Sequence, residues 1–139
     1  MKYYVSFVND NELWLVMPYV SRGTLRSNLR DKFPNGIKDE VLIASILQQI
    51  VQALVYFHQK GFMHRDIKAD NILVDETGQL FLGNFFQSTN NSTEKEFIGS
   101  PPWMSPEMMA QKNPYTNKSD MWSLGITILE LIEGKAPKE

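Results

Sequence analysis

Apolar positions open the chain in two short β-branched and aromatic runs, Tyr3 to Val8 and Leu13 to Met17, on either side of the polar cluster Asn9-Asp10-Asn11-Glu12. This pattern predicts a β-hairpin. Pro18 removes a ladder donor and ends the second run, and Val20-Ser21-Arg22-Gly23-Thr24 predicts a loop into a short helix over 25–32. Pro34-Asn35-Gly36 then breaks the chain. From Asp39 to Lys60, residues Leu42, Ile43, Ile46, Leu47, Ile50, Leu54 and Phe57 recur at steps of three and four, so they lie on one helical stripe. Asp39 is placed to cap that helix and Gly61 to end it.

Ile72 to Val74 and Gln79 to Leu82 flank Asp75-Glu76-Thr77-Gly78, which predicts a second hairpin with glycine at the tight turn. From Asn84 to Lys118 the prolines 101, 102, 106 and 114 and a Ser/Thr/Asn cluster over 88–93 predict a mostly irregular stretch, with one helical turn at 106–110. A last helix is predicted from about Asn117 to Glu133. With Met121, Trp122, Leu124, Ile126, Ile128, Leu129, Leu131 and Ile132 it is apolar around most of its circumference, which predicts burial on all sides.

Composition narrows the function class. The 42% hydrophobic content is that of a chain with a core, which excludes disordered and low-complexity classes. Fourteen basic against 16 acidic residues give no electrostatic reason to expect nucleic acid or an anionic membrane. With no cysteine, disulfides, thiolate zinc sites and cysteine nucleophiles are excluded, and the two histidines make an imidazole metal site a poor expectation. No apolar run is expected to reach membrane-spanning length, and Asn9-Asp10-Asn11-Glu12 interrupts any signal-peptide core, so a cytoplasmic or nuclear chain is expected. Asn90, Asn91 and Asn117 each begin an N-x-S/T triplet, read as chance matches.

The run that carries chemistry is His64-Arg65-Asp66-Ile67-Lys68-Ala69-Asp70-Asn71, which matches the H-R-D-L-x-x-x-N pattern with Ile67 for leucine. Phosphoryl transfer needs a carboxylate to orient the attacking hydroxyl, a cation near the phosphoryl group and oxygen ligands for Mg²⁺. Asp66, Lys68 and the side-chain carbonyl of Asn71 suit these three tasks in that order.

With these residues the chain resembles the eukaryotic protein kinases. Gly99-Ser100-Pro101-Pro102-Trp103-Met104-Ser105-Pro106-Glu107 is similar to the G-T-P-x-W-M-A-P-E run of sterile-20-like kinases, and Lys118-Ser119-Asp120-Met121-Trp122-Ser123-Leu124-Gly125-Ile126-Thr127 to their K-S/A-D-x-W-S-x-G-I-T. Glu12 to Met17 and the Pro-Asn-Gly loop look most like the Fray-type branch. The resemblance implies an α+β, kinase-like fold in part, with residues 1–20 as small-lobe strands and hinge and 21–139 as a large-lobe segment. It implies ATP and Mg²⁺ as cofactors and a protein substrate or partner kinase. Met17 falls at the gatekeeper, and the Pro18 carbonyl and Val20 N–H at the adenine-binding hinge. Ser100 stands where a threonine bridges the catalytic carboxylate and lysine. Asp120 is implied to accept backbone hydrogen bonds from the loop of Asp66, and His64 to be structural. Arg65 is implied to hold a phosphorylated loop, for which Thr89, Ser92 and Thr93 are candidate acceptors. Glu107 is implied to pair with an arginine, and Arg22, Arg26, Arg30 and Arg65 are not suitably spaced.

The pattern fails at one place of consequence: Asn84-Phe85-Phe86 stands where the family has D-F-G. Asn84 offers a neutral carbonyl where the principal Mg²⁺ ligand is a carboxylate, a loss expected to cost a few kcal/mol, or roughly a hundred- to a thousandfold in rate. Phe86 is expected to be strained in a backbone position suited to glycine, with Gly83 able to absorb part of that strain. No G-x-G-x-x-G and no V-A-I-K lysine occurs in the 139 residues. The chain is therefore expected to be an incomplete kinase domain with little or no transfer of its own; the alternative is a pseudokinase-type binding module. Apolar surface left without partners is expected to favour self-association.

Overall fold

The computed structural model describes residues 3–91, 97–110 and 116–137. Strands β1 (Val5–Asn9) and β2 (Glu12–Val16) pair antiparallel from Val5 opposite Val16 to Asn9 opposite Glu12. The turn between them is two residues, Asp10 and Asn11, both left-handed at φ 47° and 67°, which matches the right-handed twist of the strands. Helix α1 (Leu25–Lys32) is capped by Thr24, whose side chain accepts from Ser27 N. Helix α2 (Glu40–Gln59) is capped by Asp39, whose carboxylate accepts from the amides of Val41 and Leu42. A second antiparallel pair, β3 (Ile72–Val74) and β4 (Leu80–Leu82), follows. Helices α3 (Pro106–Ala110) and α4 (Asn117–Glu133) complete the described chain. The stretch expected to be irregular also holds two 3₁₀ turns, Phe85–Gln87 and Pro101–Trp103, and a third, Ala69–Asn71, immediately precedes β3.

The core forms where α1, α2, α4 and the β3–β4 hairpin meet. Ile46, Ile50 and Leu54 from the predicted α2 stripe are buried against Leu25, Leu29, Ile67, Ile72, Leu82, Leu124 and Leu131. Each such side chain contributes about 1.5–3 kcal/mol relative to exposure. By length and composition α2 is apolar enough to span a membrane, contrary to the expectation from the sequence. Its Ile46, Ile50 and Leu54 stripe is buried in this core, and its Gln49 side chain accepts from Leu80 N of the hairpin at 2.9 Å, so one face packs into the core while Val41, Val51, Val55 and Tyr56 on the rest of the helix are exposed.

Helix α4 corrects a second expectation. Its buried face carries Ser119, Asp120, Ser123, Thr127 and Glu130 beside Leu124 and Leu131. Met121, Trp122, Leu129 and Ile132, expected inside, are exposed. The periodicity of apolar residues could not reveal this, because the polar stripe faces loops whose backbone groups need partners.

Gly36 and Gly134 lock the α1–α2 connection onto the end of α4. Both are left-handed, at φ 78° and 79°. A Cβ on Gly36 would fall 1.9 Å from the Ile132 carbonyl oxygen, and one on Gly134 would fall 2.5 Å from Gly36 N. Ile37 N donates to Leu131 O at 2.8 Å and Lys38 Nζ to Ile132 O at 2.9 Å across the same contact. Gly78, at φ 83°, has nothing within 4 Å of its would-be Cβ. Gly78→Ala should therefore cost only the left-handed penalty of about 1–2 kcal/mol, while Gly36→Ala should cost clearly more because backbone must move. Urea unfolding of the two variants checks this; equal midpoints would contradict the close-contact account.

Candidate active site

The loop from Met63 to Asn71 contains no strand or α-helix, yet His64, Arg65, Asp66, Ile67 and Ala69 are all buried. Its backbone is held by side chains. The Asp120 carboxylate accepts from His64 N at 2.9 Å and Arg65 N at 2.8 Å, and its Oδ2 also lies 2.7 Å from His58 Nε2. Thr127 Oγ1 donates to Ile67 O at 3.4 Å, and Glu130 Oε2 accepts from Ala69 N at 3.3 Å and Trp103 Nε1 at 3.1 Å. Ser123 Oγ donates to Trp103 O at 2.7 Å. Burial, opposed by the Ala69 N–H, the Arg26 charge and Trp103, pushes the Glu130 carboxyl above its ordinary value. Neither His58 nor the Glu130–Trp103 pair was singled out from sequence, since each works only through partners more than 25 residues away.

Arg65 is left-handed at φ 68°, a conformation that a non-glycine residue adopts only when its surroundings hold it there. Its Nε donates to Gln87 O, so this arginine contacts the start of the segment it was expected to hold. Met63 and Thr89 exchange backbone hydrogen bonds at 2.7 and 3.0 Å, which aligns that segment beside the loop. The candidate phosphate acceptor Thr89 thus sits in a backbone pairing; Ser92 and Thr93 lie outside the described residues.

At the centre, Ser100 Oγ donates to Asp66 Oδ1 at 2.8 Å and lies 2.7 Å from Lys68 Nζ, which donates to it. One hydroxyl therefore spaces a carboxylate and an ammonium. On the other side, Asn71 Nδ2 donates to the Asp66 carbonyl at 2.7 Å and to Asp66 Oδ2 at 2.6 Å. Asn84 Nδ2 donates to Asn71 Oδ1 at 3.1 Å and approaches Asp66 Oδ2 at 3.4 Å. Asn84 is left-handed at φ 58°, which asparagine tolerates well, while Phe86 has ordinary negative φ in the following 3₁₀ turn and Gly83 is not left-handed. The strain expected at Phe86 is absent because the left-handed backbone position of this turn lies at Asn84 and not at Phe86.

The donor set does not fit a divalent cation as it stands. Mg²⁺ takes oxygen ligands and draws on one or two carboxylates. Here Asn71 Oδ1 is taken by the Asn84 amide, and the Asn84 nitrogen rather than its oxygen faces the site. Among the described residues no three His, Cys, Asp or Glu side chains converge.

The predicted hinge residues Met17, Pro18 and Val20 line an open pocket of about 320 Å³ together with Tyr19 and Leu73. The loop after the hinge is pinned to β3, with Arg22 N donating to Val74 O at 3.1 Å and Val74 N to Gly23 O at 2.9 Å. Leu73 thus lines the hinge pocket from a strand that directly follows Asn71. A larger cavity of about 450 Å³ lies behind Phe85 and is lined by aromatic and aliphatic groups without converging polar ones, so it is not the chemical centre.

Phe85 stacks 5.3 Å from Phe57 and 5.4 Å, edge-on, from His64. The His64 ring is fixed from both sides, with Nε2 2.9 Å from Gly83 O and Nδ1 3.3 Å from Asp66 N. Nε2 therefore carries the proton, and Nδ1 accepts. Glu107 Oε1 accepts from Ser119 Oγ at 2.9 Å rather than from an arginine.

Residues 1–139 match the protein kinase domain. The chain is 44% identical to serine/threonine-protein kinase fray2 of Dictyostelium discoideum, over 97% of this chain and 13% of that protein. It is 37% identical to germinal center kinase 3 of Caenorhabditis elegans, over 99% of this chain and 26% of that protein. It is also 41% identical to serine/threonine-protein kinase ppk11 of Schizosaccharomyces pombe, over 98% of this chain and 44% of that protein. The chain thus spans less than half the length of these relatives.

Burial, which outweighs the Gly83 carbonyl and the charges of Asp120 and Asp66, holds the His64 imidazole below its ordinary value. The folded state then favours neutral His64, and this stability is fully present above about pH 6.5 and is lost as pH falls through the lowered folded value. Protonation would put a second donor against Asp66 N–H. Unfolding free energy should drop between about pH 7 and pH 5, and His64→Gln should flatten that slope in urea titrations. An unchanged slope in the variant would remove His64 as its source.

Proposed function

Because this chain belongs to the protein kinase family, with sterile-20-like relatives, we propose that it supplies the acceptor-orienting part of a serine/threonine protein kinase that transfers phosphate from ATP. One observation carries this reading: the hydrogen-bonded sequence Lys68–Ser100–Asp66, at 2.7 and 2.8 Å. In it the Asp66 carboxylate receives the proton of a protein serine or threonine hydroxyl as that oxygen attacks. Lys68 sets a positive charge beside the transferring phosphoryl group, and the Ser100 hydroxyl keeps the two from collapsing into a direct ion pair. Asp120, through His64 N and Arg65 N, acts as the positioning residue for Asp66. Adenine is taken at Met17, Pro18 and Val20, over Leu73.

A second reading, a binding or scaffold module without transfer, draws support from the Asn84 amide bonded to Asn71 Oδ1. The two readings separate in a radiolabel-transfer assay on the full gene product with a protein acceptor. Asp66→Asn should lower transfer at least about a hundredfold; transfer by the product that is indifferent to Asp66→Asn would overturn the role given to this carboxylate. A product that transfers nothing, and gains nothing from Asn84→Asp, would establish the binding module instead. The 139 residues alone, which hold neither G-x-G-x-x-G nor a V-A-I-K lysine, should show no transfer above background.

The exposed Met121, Trp122, Leu129 and Ile132 on α4, with Val5, Phe7, Leu13 and Trp14 on the first hairpin, also support self-association of the isolated chain. Light scattering should give a mass that rises with concentration; a monodisperse monomer across the range would contradict it.

A further inference from the structure

We propose that the Asn84 side-chain amide stands in for the divalent cation, so that the Asp66–Asn71–Asn84 cluster assembles without metal and does not take one up. A cation in this position would draw oxygens of several residues together. Asn84 Nδ2 does this by donation, reaching Asn71 Oδ1 at 3.1 Å and Asp66 Oδ2 at 3.4 Å.

The orientation of the amide follows from its neighbours. Asn71 Nδ2 already donates to both the carbonyl and the carboxylate of Asp66, at 2.7 and 2.6 Å, so its oxygen must face Asn84. Turning Asn84 to present its own oxygen would set three acceptors against one another and discard its donated hydrogen bonds. Charge points the same way. Asp66 carries one negative charge and Lys68 one positive charge across the Ser100 hydroxyl, so this cluster is near neutrality before any ion enters, and a divalent cation would leave it strongly positive. Access is not the obstacle, because Asn84 is exposed to solvent on its outer side. The exclusion is therefore one of donor chemistry.

Removing the amide nitrogen in favour of a carboxylate reverses each term. Asn84→Asp would face the Asp66 carboxylate with a second negative charge, lose the donor to Asn71 and leave oxygens with no partner until a cation arrives. The probe is Mn²⁺ alone, without nucleotide, titrated into the 139-residue chain and followed by the electron paramagnetic resonance of the free ion. Wild type should leave Mn²⁺ free at millimolar concentration, and Asn84→Asp should bind it at least about tenfold more tightly. In parallel, the thermal midpoint of wild type should be the same in EDTA and in Mn²⁺, while that of Asn84→Asp should be lowered in EDTA and restored by Mn²⁺.

Uptake of Mn²⁺ by wild type at millimolar concentration or below would overturn the proposal, and this arm needs no variant if Asn84→Asp fails to fold. A folded Asn84→Asp chain that binds no Mn²⁺ would overturn it as well, because the amide would then not be what excludes the ion. The readout involves no turnover, so its failure leaves the role given to Asp66 to be decided by the transfer assay.

Discussion

The structure depends on one buried polar stripe. Helix α4 sends Asp120, Ser123, Thr127 and Glu130 inward, and these side chains bond backbone groups of His64, Arg65, Ile67, Ala69 and Trp103. A loop buried without ladder partners would leave its N–H and C=O groups unsatisfied, at about 1–3 kcal/mol each. The stripe removes that cost and fixes the loop's shape. Arg65 can hold its left-handed conformation, and Asp66 its orientation, because the two amides before Asp66 are both tied to Asp120. The helix gives up part of its apolar burial in exchange, which is why Met121 and Trp122 face outward.

Around this anchor the other elements bring parts of the site into register. The short strand β3 links the two halves, since Asn71 immediately before it joins the Asp66 cluster and Leu73 at its middle lines the pocket at Met17, Pro18 and Val20. The loop over 21–24 is hydrogen-bonded to the same strand, which fixes the pocket's position relative to the cluster. Phe85, wedged between Phe57 and His64, ties the Asn84 turn to α2 and to the loop. The substitution of asparagine for aspartate at 84 is accommodated without distortion because asparagine accepts the left-handed backbone and its amide finds two acceptors.

The retained and altered parts of the site have different chemistry. Ser100 links the Asp66 carboxylate to the Lys68 ammonium by direct hydrogen bonds, the unit to which the proposed reading gives proton acceptance and charge placement. By contrast, Asn71 Oδ1 is taken up by the amide of Asn84. In the proposed reading the acceptor-orienting half of a kinase site is thus intact, while the half that would hold the cation is closed by hydrogen bonds. This division follows from a single atom exchange, a carboxylate oxygen for an amide nitrogen, at position 84.

Much of this was legible in the linear chain. The hairpins, the α2 stripe from Ile46 to Leu54, the caps at Asp39 and Gly61 and the run from His64 to Asn71 are local patterns, set by φ preferences and side-chain periodicity over a few residues. The identity of Ser100 as a match for the bridging position was also readable, because the flanking prolines and Trp103 mark the register. What could not be read were relations set by packing: the inward polar face of α4, the Glu130–Trp103 bond, the meshing of Gly36 with Gly134 and the left-handed backbone at Asn84 instead of Phe86. Local sequence determined which elements and which chemical groups the protein has, since these rest on short-range sterics and residue type. Tertiary structure alone decided which donors meet which acceptors, because a polar side chain takes the partner that the packing brings to it, and for the Asn84 amide that partner is the Asn71 side-chain oxygen.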